Sequence, residues 1–219
     1  MAEIWEGSPA LRPPYRNAAV KRLRAADPVM AELIERVGPF RLQLKPDETF
    51  DALLRSIVYQ QLNGRAASTI HARVLAHFPK ERPLTPRSLL ATPDAKLRSA
   101  GLSANKLRAM RDLADKALKG VVPPRAEAEM LPDEELIERL TEVRGIGVWT
   151  VQMFLIFYLG RPDVMPSGDF GVRKGFGLLY RKSSQLPPPA ALEKHAKLWA
   201  PYRSAASWYL WRSLDIKTV

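Results

Sequence analysis

The sequence contains no cysteine among its 219 residues. This absence excludes disulfide bonds, thiolate-bound metal sites and an iron–sulfur cluster held by cysteines. Long apolar runs are also missing: no stretch approaches the ~20 residues that cross a membrane, and the first residues lack a signal-peptide core. No segment alternates in the way typical of a strand. We therefore expect a nearly all-α, soluble, cytoplasmic protein of bacterial type with no membrane partner.

Basic residues outnumber acidic ones. Lys plus Arg number 34 and Asp plus Glu 23, which gives a formal net charge of +11. The basic residues are scattered through folded-looking segments and are not gathered in a tail, so they favour a polyanionic partner such as nucleic acid over an acidic small molecule. With 46% hydrophobic residues, the chain can bury a core in one compact unit or in two small lobes.

Capping residues and glycines divide the chain into short helices. The predicted starts are Asp27-Pro28, Thr85-Pro86, Thr92-Pro93 and Ser103, and the predicted stops are Gly38, Gly101 and Gly120. After Asp47, apolar residues recur at helical spacing until the turn predicted at Asn63-Gly64. Residues 1–14 are expected to form an irregular arm.

The stretch from Leu136 to Leu159 combines an apolar helix, the turn Gly145-Ile-Gly147 and a second apolar helix. Glycines accept unusual backbone angles, so this turn can be short and its amides can lie bare on the surface. At the start of the second helix such amides can bind a phosphate without any base being read. The alternative is an ordinary helical hairpin whose glycines serve only the turn.

Four separated motifs together resemble the helix-hairpin-helix (HhH-GPD) DNA glycosylases, most closely the 3-methyladenine DNA glycosylase II type. The motifs are Ile57-Val-Tyr-Gln60-Gln61-Leu62, then Val143-Arg-Gly-Ile-Gly-Val-Trp149-Thr150, then Asp169 at close range, then Trp199-Ala-Pro-Tyr-Arg-Ser204 with Trp208 and Trp211. The resemblance covers most of residues 45–215. It is specific because all four motifs occur in the family's order.

The resemblance implies an all-α fold of two helical lobes with an active-site cleft between them. The first lobe would span residues 48–160 and carry the helix-hairpin-helix at about 133–160. The second would combine residues 1–47 with 161–219 and carry Asp169. The chain is too short for the extra N-terminal α/β domain of related proteins, and we expect a monomer.

Asp169 is the predicted catalytic residue. Cleaving a base from deoxyribose develops positive charge on the sugar, which calls for an ionised carboxylate near C1′. Asp169 stands where an N-cap belongs for a helix to about Tyr180, and that position favours the charged form. The alternative is that Asp169 only caps its helix, although both roles can hold together.

Trp149 stands where strand-cutting members of the superfamily carry a lysine that forms a Schiff base, so the resemblance implies no lyase activity. An indole face can instead stack on a flipped, cationic base. The other predicted base-pocket residues are Met153, Phe170, Trp208 and Trp211. Any of these aromatics could equally be core. Because Met153 replaces a tyrosine of the relatives and Gly168 a second acidic residue, the range of bases stays open.

The predicted DNA contacts are Gln60, Gln61, Leu62, Asn63, Arg144, Gly145, Gly147 and Thr150. By resemblance, Leu62 fills the gap left by the flipped nucleotide; taken alone, it would be interpreted as core. The family's hairpin also binds Na⁺ or K⁺ through main-chain carbonyls, which map to Thr141, Val143 and Ile146. No cofactor is expected to be required. His195 is interpreted as a packed or surface residue rather than a metal ligand or catalyst.

The resulting hypothesis is a monofunctional DNA glycosylase that excises alkylated purines, such as 3-methyladenine and 7-methylguanine, from double-stranded DNA in base-excision repair. One alternative is a non-catalytic hairpin module that binds the DNA backbone. Another is a glycosylase for a different damaged or mismatched base, which the missing cysteines and Trp149 disfavour. Asp169 and the aromatic residues favour an enzyme, because a binding module needs neither.

Overall fold

The structure is a computed structural model that describes residues 11–79, 81, 83–181 and 185–216. Across these residues it contains helices and no strand, with one isolated bridge between Leu11 and Leu44. The all-α prediction is therefore confirmed. The predicted N-terminal arm lies mostly outside the described residues. Where the chain is described, every helix is too short or too polar to span a bilayer.

The helices in chain order are α1 (Arg16–Ala26), α2 (Pro28–Val37), α3 (Thr49–Tyr59), α4 (Gly64–Ala76), α5 (Pro86–Ala91), α6 (Asp94–Arg98), α7 (Ala104–Leu118), α8 (Arg125–Ala128), α9 (Asp133–Thr141), α10 (Val148–Phe157), α11 (Phe170–Tyr180), α12 (Pro189–Ala196) and α13 (Arg203–Ser213). A short 3₁₀ helix, Lys197–Trp199, follows α12.

Packing divides the described chain into two compact units, residues 47–154 and residues 11–46 with 155–216. The predicted boundary at residue 160 differs from this division, because residues 155–160 belong to the second unit. The carbonyl of Phe157 accepts the amide of Lys45 at 2.9 Å, and the Phe157 ring stacks on Trp211 with centroids 5.6 Å apart. These contacts tie the end of α10 to the second unit.

The core of the first unit forms around α3 and α7. Helix α3 buries the apolar face predicted from its spacing, and α5, α6 and α3 all pack on α7. The largest buried side chains of the two central helices are Leu53, Leu54, Ile57, Met110 and Leu113. Helix α7 therefore has one face in the core, while its other face is available to the loops beside it.

The second unit is organised around Asp27, which is 3% exposed. Its Oδ1 accepts the amides of Val29 and Met30 and so caps α2, as predicted. Around its Oδ2 lie Tyr180 Oη and Trp199 Nε1, both donating at 2.8 Å, and His195 Nε2 at 3.0 Å. Burial raises the pKa of Asp27, but these hydrogen bonds outweigh it and hold the pKa below its usual range. His195 is thus a packed residue, and among the described side chains no cluster of three His, Cys, Asp or Glu could hold a metal.

One predicted helix start is wrong. Thr92 ends α5 instead of capping α6, because its hydroxyl donates to the carbonyl of Ser88 at 2.8 Å. Threonine readily makes this bond to the preceding turn, in competition with capping. The caps predicted at Thr85 and Ser103 are confirmed, since each side-chain oxygen accepts an amide of the next helix.

Candidate functional site

The predicted hairpin is formed by α9, the loop 142–147 and α10. Gly145 has φ +79°, which favours glycine, and a Cβ there would lie 3.5 Å from the Cβ of Ala109. Gly147 has no such angle, and a Cβ there would meet no described atom within 4 Å. The turn therefore needs glycine at Gly145, whereas Gly147 leaves the start of α10 uncovered.

The first turn of α10 lies at the surface. The carbonyl of Gly147 accepts the amide of Val151 at 3.2 Å, so Gly147 is the residue from which the helix starts. The two residues that follow, Val148 and Trp149, are 50% and 51% exposed. The first amides of a helix have no partner inside it and carry the positive end of its dipole. This arrangement suits an anionic ligand such as a phosphate.

Side chains of α7 hold the hairpin loop. Oδ2 of Asp112 accepts the backbone amide of Arg144 at 2.7 Å. The ammonium of Lys116 donates to the carbonyl of Glu142 and lies 2.9 Å from Oδ2 of Asp112. Burial raises the pKa of Asp112. The hydrogen bonds from the Arg144 amide and Lys116 lower it by more, so the pKa of Asp112 lies below its usual range. Sequence reasoning missed both residues, because an acid and a lysine four residues apart also occur on ordinary solvated helix faces.

The turn between α3 and α4 contains the other predicted DNA contacts. Gln60 donates from Nε2 to the carbonyl of Gly145 at 2.7 Å, so this side chain links the turn to the hairpin. Gln61 adopts φ +56°, and the side chain of Asn63 caps α4. Leu62 is 39% exposed and is presented to solvent rather than to the core.

Thr150 is the predicted contact that the structure places differently. It is 6% exposed, on the buried face of α10. A DNA contact by its side chain does not agree with this position. The reason is helical geometry, since Thr150 follows two exposed residues and falls on the inward side of the first turn.

The three carbonyls predicted to bind a monovalent cation lie at the last residue of α9, Thr141, and in the hairpin loop, at Val143 and Ile146. The carbonyl of Val143 already accepts the amide of Ile146 at 2.9 Å. A carbonyl oxygen has two lone pairs, so Val143 can still coordinate an ion. Lys116 occupies the carbonyl of Glu142, between the predicted ligands Thr141 and Val143. Carbonyl oxygens of this kind fit Na⁺ or K⁺ chemically. The ammonium of Lys116, however, already supplies a positive charge to the neighbouring carbonyl of Glu142.

In the second unit, Asp169 caps α11, as predicted. Its Oδ1 accepts the amide of Val172 at 2.8 Å and the indole Nε1 of Trp211 at 2.8 Å. The Trp211 ring in turn stacks on Phe157. Trp211 was predicted to line a base pocket, and the structure shows that it also fixes the carboxylate. Two different helices, α11 and α13, therefore determine where Asp169 points.

Gly171 is a further residue of this cluster that the sequence did not reveal. A Cβ at this position would lie 2.9 Å from Cδ1 of Trp211 and 3.2 Å from Oδ1 of Asp169. Such distances are too short for an ordinary contact. The hydrogen bond between Asp169 and Trp211 therefore needs glycine at the second position of α11.

The remaining predicted pocket residues differ in exposure. Phe170 is 65% exposed at the start of α11, and Trp149 is half exposed at the start of α10. Met153 lies one turn after Trp149 and is half-buried. Trp208 is half-buried and packs edge-on against Phe40 in the second unit, with ring centroids 5.1 Å apart. Its place in a base pocket stays a prediction.

A groove of about 680 Å³ lies beside the hairpin loop in the first unit. Each acidic residue of the groove forms a salt bridge: Asp94 with Arg111, Asp112 with Lys116 and Asp115 with Lys119. Arg98, Arg108 and Arg144 line the same groove. The surplus of guanidinium groups makes this surface positive, which agrees with the basic character of the whole sequence.

A hairpin with a short turn and a half-exposed helix start suits a phosphate ligand. The carboxylate anchored at the start of α11 is a candidate reaction centre. Over residues 54–201 the chain matches the HhH-GPD superfamily of base excision DNA repair proteins. The chain belongs to this superfamily.

Individual relatives agree with this assignment. DNA-3-methyladenine glycosylase 1 of Schizosaccharomyces pombe is 37% identical over 193 residues, which cover 87% of this chain and 84% of that protein. The structure of the S. pombe 3-methyladenine DNA glycosylase in complex with abasic DNA aligns with a TM-score of 0.81 at 36% identity, covering 91% of this chain and 98% of that one. A DNA-3-methyladenine glycosidase from Bacillus halodurans aligns with a TM-score of 0.80 at 36% identity, covering 89% and 88%.

Proposed function

We propose that this protein is a DNA glycosylase that removes alkylated purines of the 3-methyladenine and 7-methylguanine type from double-stranded DNA, as the first step of base-excision repair. The observation that carries the proposal is the anchoring of Asp169 by the α11 amide and by Trp211. A protein that only binds DNA has no need for a carboxylate held by two helices. The names of the relatives support the same substrate class.

The proposed reaction is hydrolysis of the bond between C1′ and the base nitrogen. As this bond breaks, its electron pair passes to the alkylated purine, which leaves as a neutral base. The sugar becomes positively charged, and the ionised carboxylate of Asp169 stabilises that charge. A water oxygen then adds to C1′ and gives up its proton to the carboxylate, which leaves an abasic site.

Trp149 is proposed to select the base. Its exposed indole can stack on a purine turned out of the duplex, and the electron-rich face attracts a base made cationic by alkylation. Since position 149 carries no amine, no Schiff base can form there. The chemistry is then limited to base removal, without cleavage of the strand.

The hairpin is proposed to hold the DNA backbone. The amides at the start of α10 would bind a phosphate, with the guanidinium of Arg144 beside them. Thr141, Val143 and Ile146 would hold a monovalent cation, which adds positive charge next to the phosphate. The exposed Leu62 would fill the gap in the base stack, because an apolar side chain can replace the stacking of the missing base.

The test is product analysis on a duplex with a single 7-methylguanine. We expect release of the free base and an intact strand that breaks only after alkali. With borohydride present during the reaction, no covalent adduct between protein and DNA should form. Binding without base release would contradict the glycosylase assignment. Strand cleavage without alkali, or a trapped adduct, would contradict the absence of lyase activity.

A further inference from the structure

We propose that Asp112 and Lys116 of α7 are positioning residues that hold the hairpin loop in the conformation that binds the DNA backbone. This inference rests on the proposed DNA binding by the hairpin. It assigns a function to two charged residues that contact the loop only through its main chain. Neither is expected to touch the reacting atoms.

The two side chains bind neighbouring peptide groups of the loop, one through its N–H and the other through its carbonyl. Asp112 accepts the amide of Arg144 at 2.7 Å, whereas Lys116 donates to the carbonyl of Glu142. The carboxylate and ammonium also pair with each other at 2.9 Å, with their side chains 30% and 21% exposed. Each group is thereby fixed by one partner on α7 and one on the loop. Such a pair sets the orientation of the peptide planes just before Gly145.

The same loop also lies close to α7 at Gly145. A Cβ at Gly145 would lie 3.5 Å from the Cβ of Ala109, which is one turn before Asp112 on α7. Gln60, from the turn after α3, donates to the carbonyl of Gly145. The loop's own bonds are short-range ones, from Val143 to Leu140 and from Ile146 to Val143. The side chains of Asp112 and Lys116, together with that of Gln60, therefore supply the contacts that fix the loop from outside the hairpin.

The sign of the charge on Asp112 strengthens the inference. A carboxylate beside a phosphate-binding loop repels DNA, so its simple electrostatic effect is to weaken binding. Asp112 lines the same groove as Arg144 and is held in the ionised form at neutral pH by its partners. Its removal has opposite predicted effects under the two interpretations. Loss of repulsion would tighten binding, and loss of positioning would weaken it.

The chain offers a matched control on the same helix. Asp115 and Lys119, at the C-terminal end of α7, form a second carboxylate–ammonium pair four residues apart, at 2.7 Å, and this bond does not involve the hairpin loop. Asp115 lines the same groove as Asp112. Replacing these residues therefore changes charge at a similar place without removing a bond to the hairpin loop.

The experiment measures the affinity of the full chain for a labelled undamaged duplex at fixed salt, together with the excision rate at saturating protein. Asp112→Ala should weaken binding ~10-fold, the scale of one lost charge-assisted hydrogen bond, whereas Asp112→Asn keeps an acceptor for the Arg144 amide and should stay within ~3-fold of the unmodified protein. The saturated excision rate should not change in either. Asp115→Ala should bind as tightly as the unmodified protein or more tightly.

Two results would overturn the inference: Asp112→Ala binding as tightly as Asp115→Ala, or Asp112→Asn losing as much affinity as Asp112→Ala. Should Asp112→Ala fail to fold, Lys116→Met and Lys119→Met decide the question. Each removes one positive charge, so a larger loss in Lys116→Met supports positioning and an equal loss overturns it. Absence of DNA binding or base release by the unmodified protein would instead contradict the proposed function itself.

Discussion

The carboxylate oxygen Oδ1 of Asp169 serves two donors, the Val172 amide and the Trp211 indole. Capping a helix and stabilising charge on a sugar are therefore compatible tasks for one residue. The cap fixes the side-chain torsions, and the indole fixes the direction of the carboxylate plane. A group oriented in this way needs no rearrangement when charge develops on the substrate, which is the source of its catalytic effect.

Gly171→Ala should test the orientation of Asp169 without altering any charge. The added Cβ would lie 2.9 Å from the Trp211 ring, so the indole or the carboxylate must move. We expect excision to slow ~10- to 100-fold, the effect of misplacing a catalytic group by up to about 1 Å. Single-turnover excision rates provide the measurement. Gly168→Ala is the control, because a Cβ there meets no described atom within 4 Å, and equal rates in the two variants would contradict the prediction.

Trp149→Ala should change the choice of base more than the overall rate. The cation–π attraction between an indole and an alkylated purine contributes about 0.5–2 kcal/mol, or ~2- to 30-fold. The ratio of excision rates for 7-methylguanine over neutral hypoxanthine should fall by that factor. Val148→Ala, at the neighbouring exposed position, should leave the ratio unchanged. A uniform loss on both bases in Trp149→Ala would argue against recognition of the cation.

Among the elements, the start of α10 is the part of the hairpin that remains open. Val148 and Trp149 are half exposed there and Gly147 adds no side chain, while the bend itself depends on Gly145. The two glycines of the motif therefore do different work. Gly145 permits the turn, and Gly147 leaves space for a ligand to approach the start of α10.

Gly147→Leu should fold normally and bind DNA poorly. The residue has no positive φ and open space at its Cβ, so the melting temperature should stay close to that of the unmodified protein. A bulky side chain would keep a phosphate from the α10 amides, and affinity should fall ~10-fold, the scale of a lost charge-assisted hydrogen bond. The loss should be equal for undamaged and alkylated duplexes in a binding titration. A loss confined to alkylated DNA would contradict a contact with the backbone.

Local signals predicted the elements of the site well. The hairpin helices and the Asp169 cap follow from glycines and a capping residue in the sequence itself, and the structure has them where they were predicted. Contacts between elements could not be predicted in this way. The bond from Gln60 to Gly145 and the Asp112–Lys116 contacts depend on which helices meet.

At the scale of the whole molecule, the interiors of the two units differ: the first is apolar, and the second contains a buried polar cluster. The first relies on the apolar packing of α3 and α7, whereas the second contains Asp27, a buried carboxylate with several donors. Asp27 joins the start of α2 to residues far along the chain, Tyr180 and Trp199. Stability of the second unit should therefore depend on the ionisation of this one group.

The second unit should lose stability in acid through Asp27. Its native pKa is below the usual value of about 4, so its contribution is complete above that pH and is lost as pH falls towards the native pKa. Asp27→Asn should lower the free energy of unfolding by about 2–4 kcal/mol at neutral pH and flatten the acid dependence. Urea unfolding at neutral and acid pH measures both. The control Asp215→Asn removes an exposed pair and should change little; an equal effect there would contradict the prediction.

The most direct test of the proposed chemistry is the single-turnover excision rate of Asp169→Asn on duplex DNA with one 7-methylguanine. The carboxamide oxygen can still accept from Val172 and Trp211, so folding and DNA affinity should stay near those of the unmodified protein. Loss of the negative charge should slow base release by at least ~100-fold, the scale of losing one preorganised electrostatic group. Excision by Asp169→Asn at the full rate would contradict the assignment of Asp169 as the catalytic carboxylate.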